Sequence, residues 1–287
     1  VTRTKDRTVG WLLDATVFEA YHDELVAAIL RQGHQVKSLN APSPPYRWDD
    51  VGSAYRLAFP PGFCVVTHGD IDLVTRVQVD AIWTPGAFAT VKNFRCSHYF
   101  AHLGRFLLND DYAMLPFAEL DRCRERLFTL FGREGKIFVR PDSPLKLFAG
   151  LLAGHDTFAR DLEFMEFYEF PVESLVVVSS PKQIESEWRF VIANQQVVAG
   201  SLYKHRGETK LEPCADPVAA RFAESVLATG WAPDPVWVID ICKTERGEYR
   251  LLEIGGFSFA NLYGCDKDAV VRAVSKVAAE LYQARRI

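Results

Sequence analysis

Two carboxylates, one on each of two consecutive apolar strands near the C-terminus, constrain this chain more than any other feature. The run Val236-Trp-Val-Ile-Asp240-Ile is apolar and largely β-branched apart from Asp240. Glu245-Arg246-Gly247 is a turn signal, and Tyr249 to Ile254, which carries Glu253, reads as the returning strand. A carboxylate buried in an apolar strand is costly unless it is paired or bound to a metal. On neighbouring strands the two acids can share a face and hold a hard cation through oxygen. A cation that bridges phosphate oxygens is what a nucleotide-using site requires. The pattern by itself also fits two hairpin acids turned to solvent, so the rest of the chain has to decide.

Two upstream stretches carry fixed positive charge. In Ile137-Phe-Val-Arg140-Pro-Asp-Ser-Pro-Leu-Lys146-Leu-Phe-Ala-Gly150, Arg140 leaves a strand and Lys146 follows in a turn-rich loop. Arginine offers a planar fork and lysine a mobile point charge, both suited to polyphosphate. In Glu187-Trp188-Arg189, alternation along a strand puts Glu187 and Arg189 on one face and Trp188 on the other. Such a pair can orient Arg189 toward a phosphate, and it also fits a surface ion pair of little worth. There is no GxxxxGK[ST] loop and no GxGxxG fingerprint.

Taken together, in this order, the three motifs resemble the ATP-grasp superfamily, most closely its clade named for two arginines and a lysine. The resemblance covers roughly residues 95–287 and is weaker before that. It implies an α/β (α+β) ATP-grasp fold, with two α+β lobes enclosing ATP. Residues 1–95 would form a small parallel α/β pre-ATP-grasp domain and 96–287 the catalytic domain, lobe one about 96–178 and lobe two about 179–287. Arg140, Lys146, Glu187 and Arg189 would bind ATP, with Val178 and Ser179 near adenine, and Lys146 and Arg189 would act in catalysis. Asp240 and Glu253 would hold Mg2+. The family often has Glu-x-Asn at the second acid, and this chain has Glu253-Ile254-Gly255. Asn261 or water would then complete the shell, which favours one metal over two.

The implied activity is an ATP- and Mg-dependent carboxylate–amine ligase working through an acyl phosphate. Alternatives are a phosphotransferase or a non-catalytic ATP-binding module. Neither substrate is legible, and the oligomeric state stays open, a homodimer included.

Composition narrows the rest. A net charge of −4 and no long basic block argue against sequence-independent nucleic-acid binding. No apolar run approaches the ~18 residues of a membrane span. The first residues lack a leader-like apolar core, and six dispersed cysteines without a CxxC fit reduced thiols, so a cytoplasmic protein is expected. Strands at 8–13, 35–39, 63–66 and 81–83 alternate with helices at 19–32 and 70–79, around a rigid break at 41–45, and predict a parallel sheet. His68 ends one of those strands, where open α/β sheets bind ligands. His98 and His102 sit four apart on a predicted helix, a spacing that can present both to a metal.

Overall fold

A computed structural model gives the structure over residues 8–39, 54–145, 147–214 and 216–285; the expected break at 41–45 and Lys146 lie outside these described residues. Strands β1 (Gly10–Asp14), β2 (Gln35–Leu39), β3 (Cys64–His68) and β4 (Thr84–Gly86) form the expected parallel sheet, in the order β2-β1-β3-β4. Helices α1 (His22–Arg31) and α2 (Ile71–Asp80) connect its strands. β1 and β3 lie inside the sheet, are buried throughout and are continuously apolar until their polar ends. The fourth strand begins later than the sequence suggests. Ala81 adopts a left-handed conformation that caps α2, and the chain joins the sheet only at Thr84.

After α3 (Cys96–Leu103), the second sheet comprises β5 (Tyr112–Pro116), β6 (Lys136–Pro141), β7 (Leu151–Gly154) and β8 (Leu175–Ser179). Its order is β5-β8-β6-β7 and every pairing is antiparallel. α4 (Leu120–Phe131) and α5 (Phe158–Glu166) cover one face. On α4, Leu120, Leu127 and Phe131 point inward while Leu130 is exposed, the stripe expected of an amphipathic helix. β5 and β7 are too short and too little alternating to stand out in the sequence.

The third sheet is antiparallel, in the order β11-β10-β9-β12-β13. Its strands are β9 (Ile184–Ala193), β10 (Gln196–His205), β11 (Glu208–Pro213), β12 (Val236–Thr244) and β13 (Tyr249–Gly256). Lys204 and His205 are the last two residues of β10. β11 is a fully exposed, charged edge, a composition that discourages pairing with another chain. β9 and β12 are central and buried on both faces. Trp188, Phe190 and Ile192 meet α6 (Pro217–Leu227), which Asp216 caps by accepting from Val218 N and Ala219 N.

On the opposite face, Val191 and Val238 share a core with the parallel sheet through the last helix, α7 (Lys267–Ala284). Trp11 on β1 donates its indole N–H to Ser275 on α7 at 3.0 Å. The first sheet and the third therefore enclose one hydrophobic core, and the second sheet has its own. Among the described residues no disulfide joins any of the six cysteines. Among the described residues no helix is long and apolar enough to cross a membrane.

Candidate active site between the antiparallel sheets

Ladder register brings the charged residues of the third sheet side by side. Arg189 on β9 stands opposite Asp240 on β12, and Asp240 stands opposite Glu253 on β13. Opposed residues have Cβ atoms about 5 Å apart, close enough for their side chains to pair. Arg189 meets Asp240 as a fork, Nε donating to Oδ1 at 2.8 Å and Nη2 to Oδ2 at 2.7 Å. Its Nη1 donates to the Asn261 carbonyl oxygen at 3.1 Å, and its Nη2 lies 3.9 Å from Glu253 Oε1. From the second sheet, Arg140 on β6 donates through Nη2 to Glu253 Oε2 at 2.9 Å. By contact, Asp240, Arg189, Glu253 and Arg140 thus form a row of alternating charge that spans two sheets.

Two β-bulges flank this row. On β13 the partners of Asp240 and Ile241 are Glu253 and Leu251, which leaves Leu252 as the extra residue. On β10 the partners of Trp188 and Glu187 are Leu202 and Lys204, which leaves Tyr203 extra. A bulge re-aims side chains that strict alternation would separate. Tyr203 and Lys204 accordingly both reach Glu187. The tyrosine hydroxyl donates to Oε2 at 2.7 Å and also lies 3.3 Å from Asp240 Oδ2, while Lys204 Nζ is 3.5 Å from Oε1.

This corrects one expectation. Arg189 takes its fork partner from across the ladder, Asp240, and not from Glu187 on its own strand. Residues two apart on a strand are separated by nearly 7 Å along it, whereas opposed residues are closer.

The row lines a cleft of about 720 Å³. Arg140, Glu187, Arg189, Asp240, Glu253 and Asn261 all contribute to it, as do Tyr203 and Tyr263, which the sequence reading missed. Gly69 and Asp70 bring the end of β3 to the same cleft. Val178 and Ser179 are fully buried in β8, paired to strands on both sides, and are not among the lining residues. Val178 packs into the core of the second sheet.

Electrostatics keeps the central pair charged. Asp240 is 1 % exposed, and burial raises its carboxyl above the ordinary range while the Arg189 guanidinium opposes that rise. Burial also works against the Arg189 charge, but Asp240 and the neighbouring tyrosines outweigh it, and Arg189 titrates well above its usual value. Burial raises the Tyr203 hydroxyl well above its usual range too, helped by the negative charges of Asp240 and Glu187, so it stays a donor.

The arrangement offers two oriented guanidinium groups, suited to phosphoryl oxygens. It also offers two opposed carboxylates. Among the described residues no group of three or more His, Cys, Asp or Glu side chains is arranged so that it could hold a metal ion by itself. Magnesium is commonly held by one or two carboxylates, with phosphate oxygens and water supplying the rest, so Asp240 and Glu253 fit that share. Asn261 already uses its side-chain oxygen to accept from Tyr263 N at 2.8 Å.

The histidines lie outside this chemistry. His68 is fully buried, its ring stacked on Phe18 at 4.6 Å and its Nε2 3.1 Å from the Tyr21 hydroxyl; burial pushes its imidazole down to about 3. His98 and His102 stand 5.3 Å apart, and His102 stacks on Trp231.

Solved structures share this architecture. D-cycloserine synthetase DcsG is 13% identical, with 95% of this chain and 100% of that chain covered at a TM-score of 0.62. D-alanine–D-alanine ligase from Bacillus anthracis is 12% identical, with 97% and 100% covered at 0.63. N5-carboxyaminoimidazole synthetase from Staphylococcus aureus, complexed with ADP, is 10% identical, with 93% and 77% covered at 0.62. No curated protein matches the chain by sequence. The model for the ATP-grasp domain of family 2 in the clade named for two arginines and a lysine matches residues 119–273, more than half of the sequence and all of the charged row. With the ATP-grasp fold and this match, the chain belongs to family 2 of that two-arginine, one-lysine clade of ATP-grasp proteins.

Proposed function

We propose that the chain is an ATP- and magnesium-dependent ligase that joins a carboxylate to an amine through an acyl phosphate. The observation that carries this reading is the row itself, the forked Arg189 and the singly bonded Arg140 set against two opposed acids along one cleft wall. Residues 96–287 form the catalytic domain in this reading, lobe one about 96–178 and lobe two about 179–287, and residues 1–95 help to shape the acceptor side. A reducing cytoplasmic setting accords with six cysteines that form no disulfide among the described residues.

A carboxylate is a poor acyl donor. Its oxygen attacks the γ-phosphorus of ATP, ADP leaves, and the acyl phosphate that results is open to an amine. The amine nitrogen then attacks the acyl carbon, inorganic phosphate leaves, and the nitrogen loses a proton. Magnesium held by Asp240 and Glu253 would offset phosphate charge. Arg140 and Arg189, with Lys146, would orient the transferring group and stabilise the oxyanion that develops. Val178 and Ser179 would act near adenine only through the backbone, at the end of β8. The active-site nucleophile is the substrate's own oxygen, so no side-chain nucleophile is required.

ATP with magnesium should raise the melting temperature by mass action, and more so than GTP. In a reaction mixture with both substrates, ADP and a new amide should appear only together. ADP formation with no amide would indicate a phosphotransferase. Binding without turnover would indicate a nucleotide-binding module, which Gly255 at the position of the usual asparagine permits. No melting shift at millimolar ATP and magnesium would sink all of these readings.

A further inference from the structure

Tyr203 belongs to none of the sequence motifs, yet it meets Glu187, Asp240, Tyr263 and the Arg189 guanidinium. As the extra residue of the β10 bulge, it is turned onto the face that carries Glu187 and Arg189. Its single hydroxyl proton serves two acids, at 2.7 Å from Glu187 Oε2 and 3.3 Å from Asp240 Oδ2. The shorter contact makes Glu187 the main acceptor and Asp240 Oδ2, which also accepts from the Arg189 fork, the weaker one.

The ring has a second role. Tyr203 stacks on Tyr263 with centroids 4.8 Å apart and planes 14° from parallel. The Arg189 guanidinium carbon lies 5.8 Å from one ring centroid and 5.1 Å from the other. Tyr263 is itself fixed, its backbone N–H donating to Asn261 Oδ1 at 2.8 Å and its carbonyl accepting from the buried Lys267 Nζ at 2.8 Å. The guanidinium is therefore bounded by a carboxylate fork, a carbonyl and two aromatic rings. Cation–π contacts of this kind add most where water is excluded.

We propose that Tyr203 is a positioning residue: its hydroxyl locks Glu187 and Asp240 relative to one another, and its ring, with Tyr263, keeps the Arg189 fork in one orientation toward the cleft. The consequence for turnover rests on the proposed function; the effect on Arg189 does not.

Nitrogen-15 NMR of the nucleotide-free protein reads the effect directly. The Arg189 Nε–H, identified by its absence in Arg189→Lys, should exchange slowly in the wild type. Tyr203→Phe keeps the ring and removes the hydroxyl, and should speed that exchange by about tenfold, the scale of one lost hydrogen bond. Other arginine signals should stay unchanged. Glu187→Ala removes the hydroxyl's partner from the other side and should have the same effect, and it tests the link should Tyr203→Phe fold poorly. Combining the two changes should add little beyond either one.

Unchanged Arg189 exchange in these variants overturns the proposal, whatever nucleotide does. Faster exchange in a protein that shows no melting shift with ATP and magnesium upholds the positioning role and removes the ligase reading. Where turnover is measurable, Tyr203→Phe should lower kcat by about tenfold while nucleotide affinity stays within about twofold. An equal loss in both would make Tyr203 a ground-state contact and overturn its positioning role.

Discussion

Arg140 and Glu253 stand on different sheets, and their side chains meet at 2.9 Å. The contact ties the second sheet to the third at the wall of the cleft, so relative movement of the two sheets has to break it. Arg140→Met keeps much of the side-chain volume and removes the fork. The pair is partly exposed, at 17% and 36%, so the expected cost is modest, about 1–2 kcal/mol in urea unfolding. Backbone amides of β6 and β13 should lose hydrogen-exchange protection together. If β6 alone loosens, the pair does not couple the sheets.

Arg189→Lys tests orientation against charge. Lysine preserves the positive charge but cannot fork onto Asp240. Under the proposed function the barrier to turnover should rise by about 2–4 kcal/mol, the range for losing one preorganised donor. Nucleotide affinity should change far less, because Arg140 and the acids remain. Single-turnover ADP formation, measured alongside nucleotide affinity, separates the two. Equal losses in both would make Arg189 a ground-state phosphate clamp.

Asp240→Asn and Glu253→Gln should both abolish magnesium-dependent turnover, but they should differ in stability. Asp240 is 1% exposed and neutralising it leaves a buried guanidinium without its anion. The amide oxygen still accepts one hydrogen bond, so about 2–4 kcal/mol is expected, near or just below the range for breaking a buried pair. Glu253 is 36% exposed, and its replacement should cost no more than about 1 kcal/mol. Equal destabilisation in urea titrations would contradict the burial difference, and full activity in both variants would mean that the metal lies elsewhere.

His68 makes the protein acid-sensitive. Its folded imidazole is pushed down to about 3 by burial, whereas the unfolded chain titrates near 6.5. Between those values the unfolded state binds the extra proton, so stability rises with pH across this window. The contribution is present above about 6.5 and is lost as the pH falls. Relative to His68→Gln, the wild type should lose about 1.5–2 kcal/mol between pH 6.5 and pH 5. Urea unfolding of both proteins at the two pH values checks it; parallel losses would show that His68 takes no part.

The parallel sheet was legible because its inner strands β1 and β3 are continuously apolar until their polar ends and its strands alternate with helical spacing. The charged row was legible because an acid in an otherwise apolar strand, as at Asp240, has few explanations. What stayed hidden is what depends on register. Nothing in the order Leu202-Tyr203-Lys204 announces that both last residues face Glu187, since a bulge is a relation between strands. For the same reason the sequence offered Glu187 as the partner of Arg189, and the ladder supplied Asp240. The β4 start slipped because Ala81, a residue with no turn preference, takes the left-handed cap position. β11 was missed because an exposed, charged edge strand has no apolar alternation to detect.

The last helix has a consequence for how the protein is made. Trp11, in the first strand of the parallel sheet, finds its hydrogen-bond partner in Ser275, and Val270, Val274 and Ala278 fill the same core. A ribosome delivers these two ends far apart in time, although early segments generally fold first as they emerge. Until α7 leaves the exit tunnel, that side of the parallel sheet is covered only in part, by α1. A stalled nascent chain ending before Lys267 should be cut by protease within residues 8–39, and release of a chain that includes α7 should protect them. The parallel sheet precedes the two antiparallel sheets in sequence and yet closes only with the helix that follows them both.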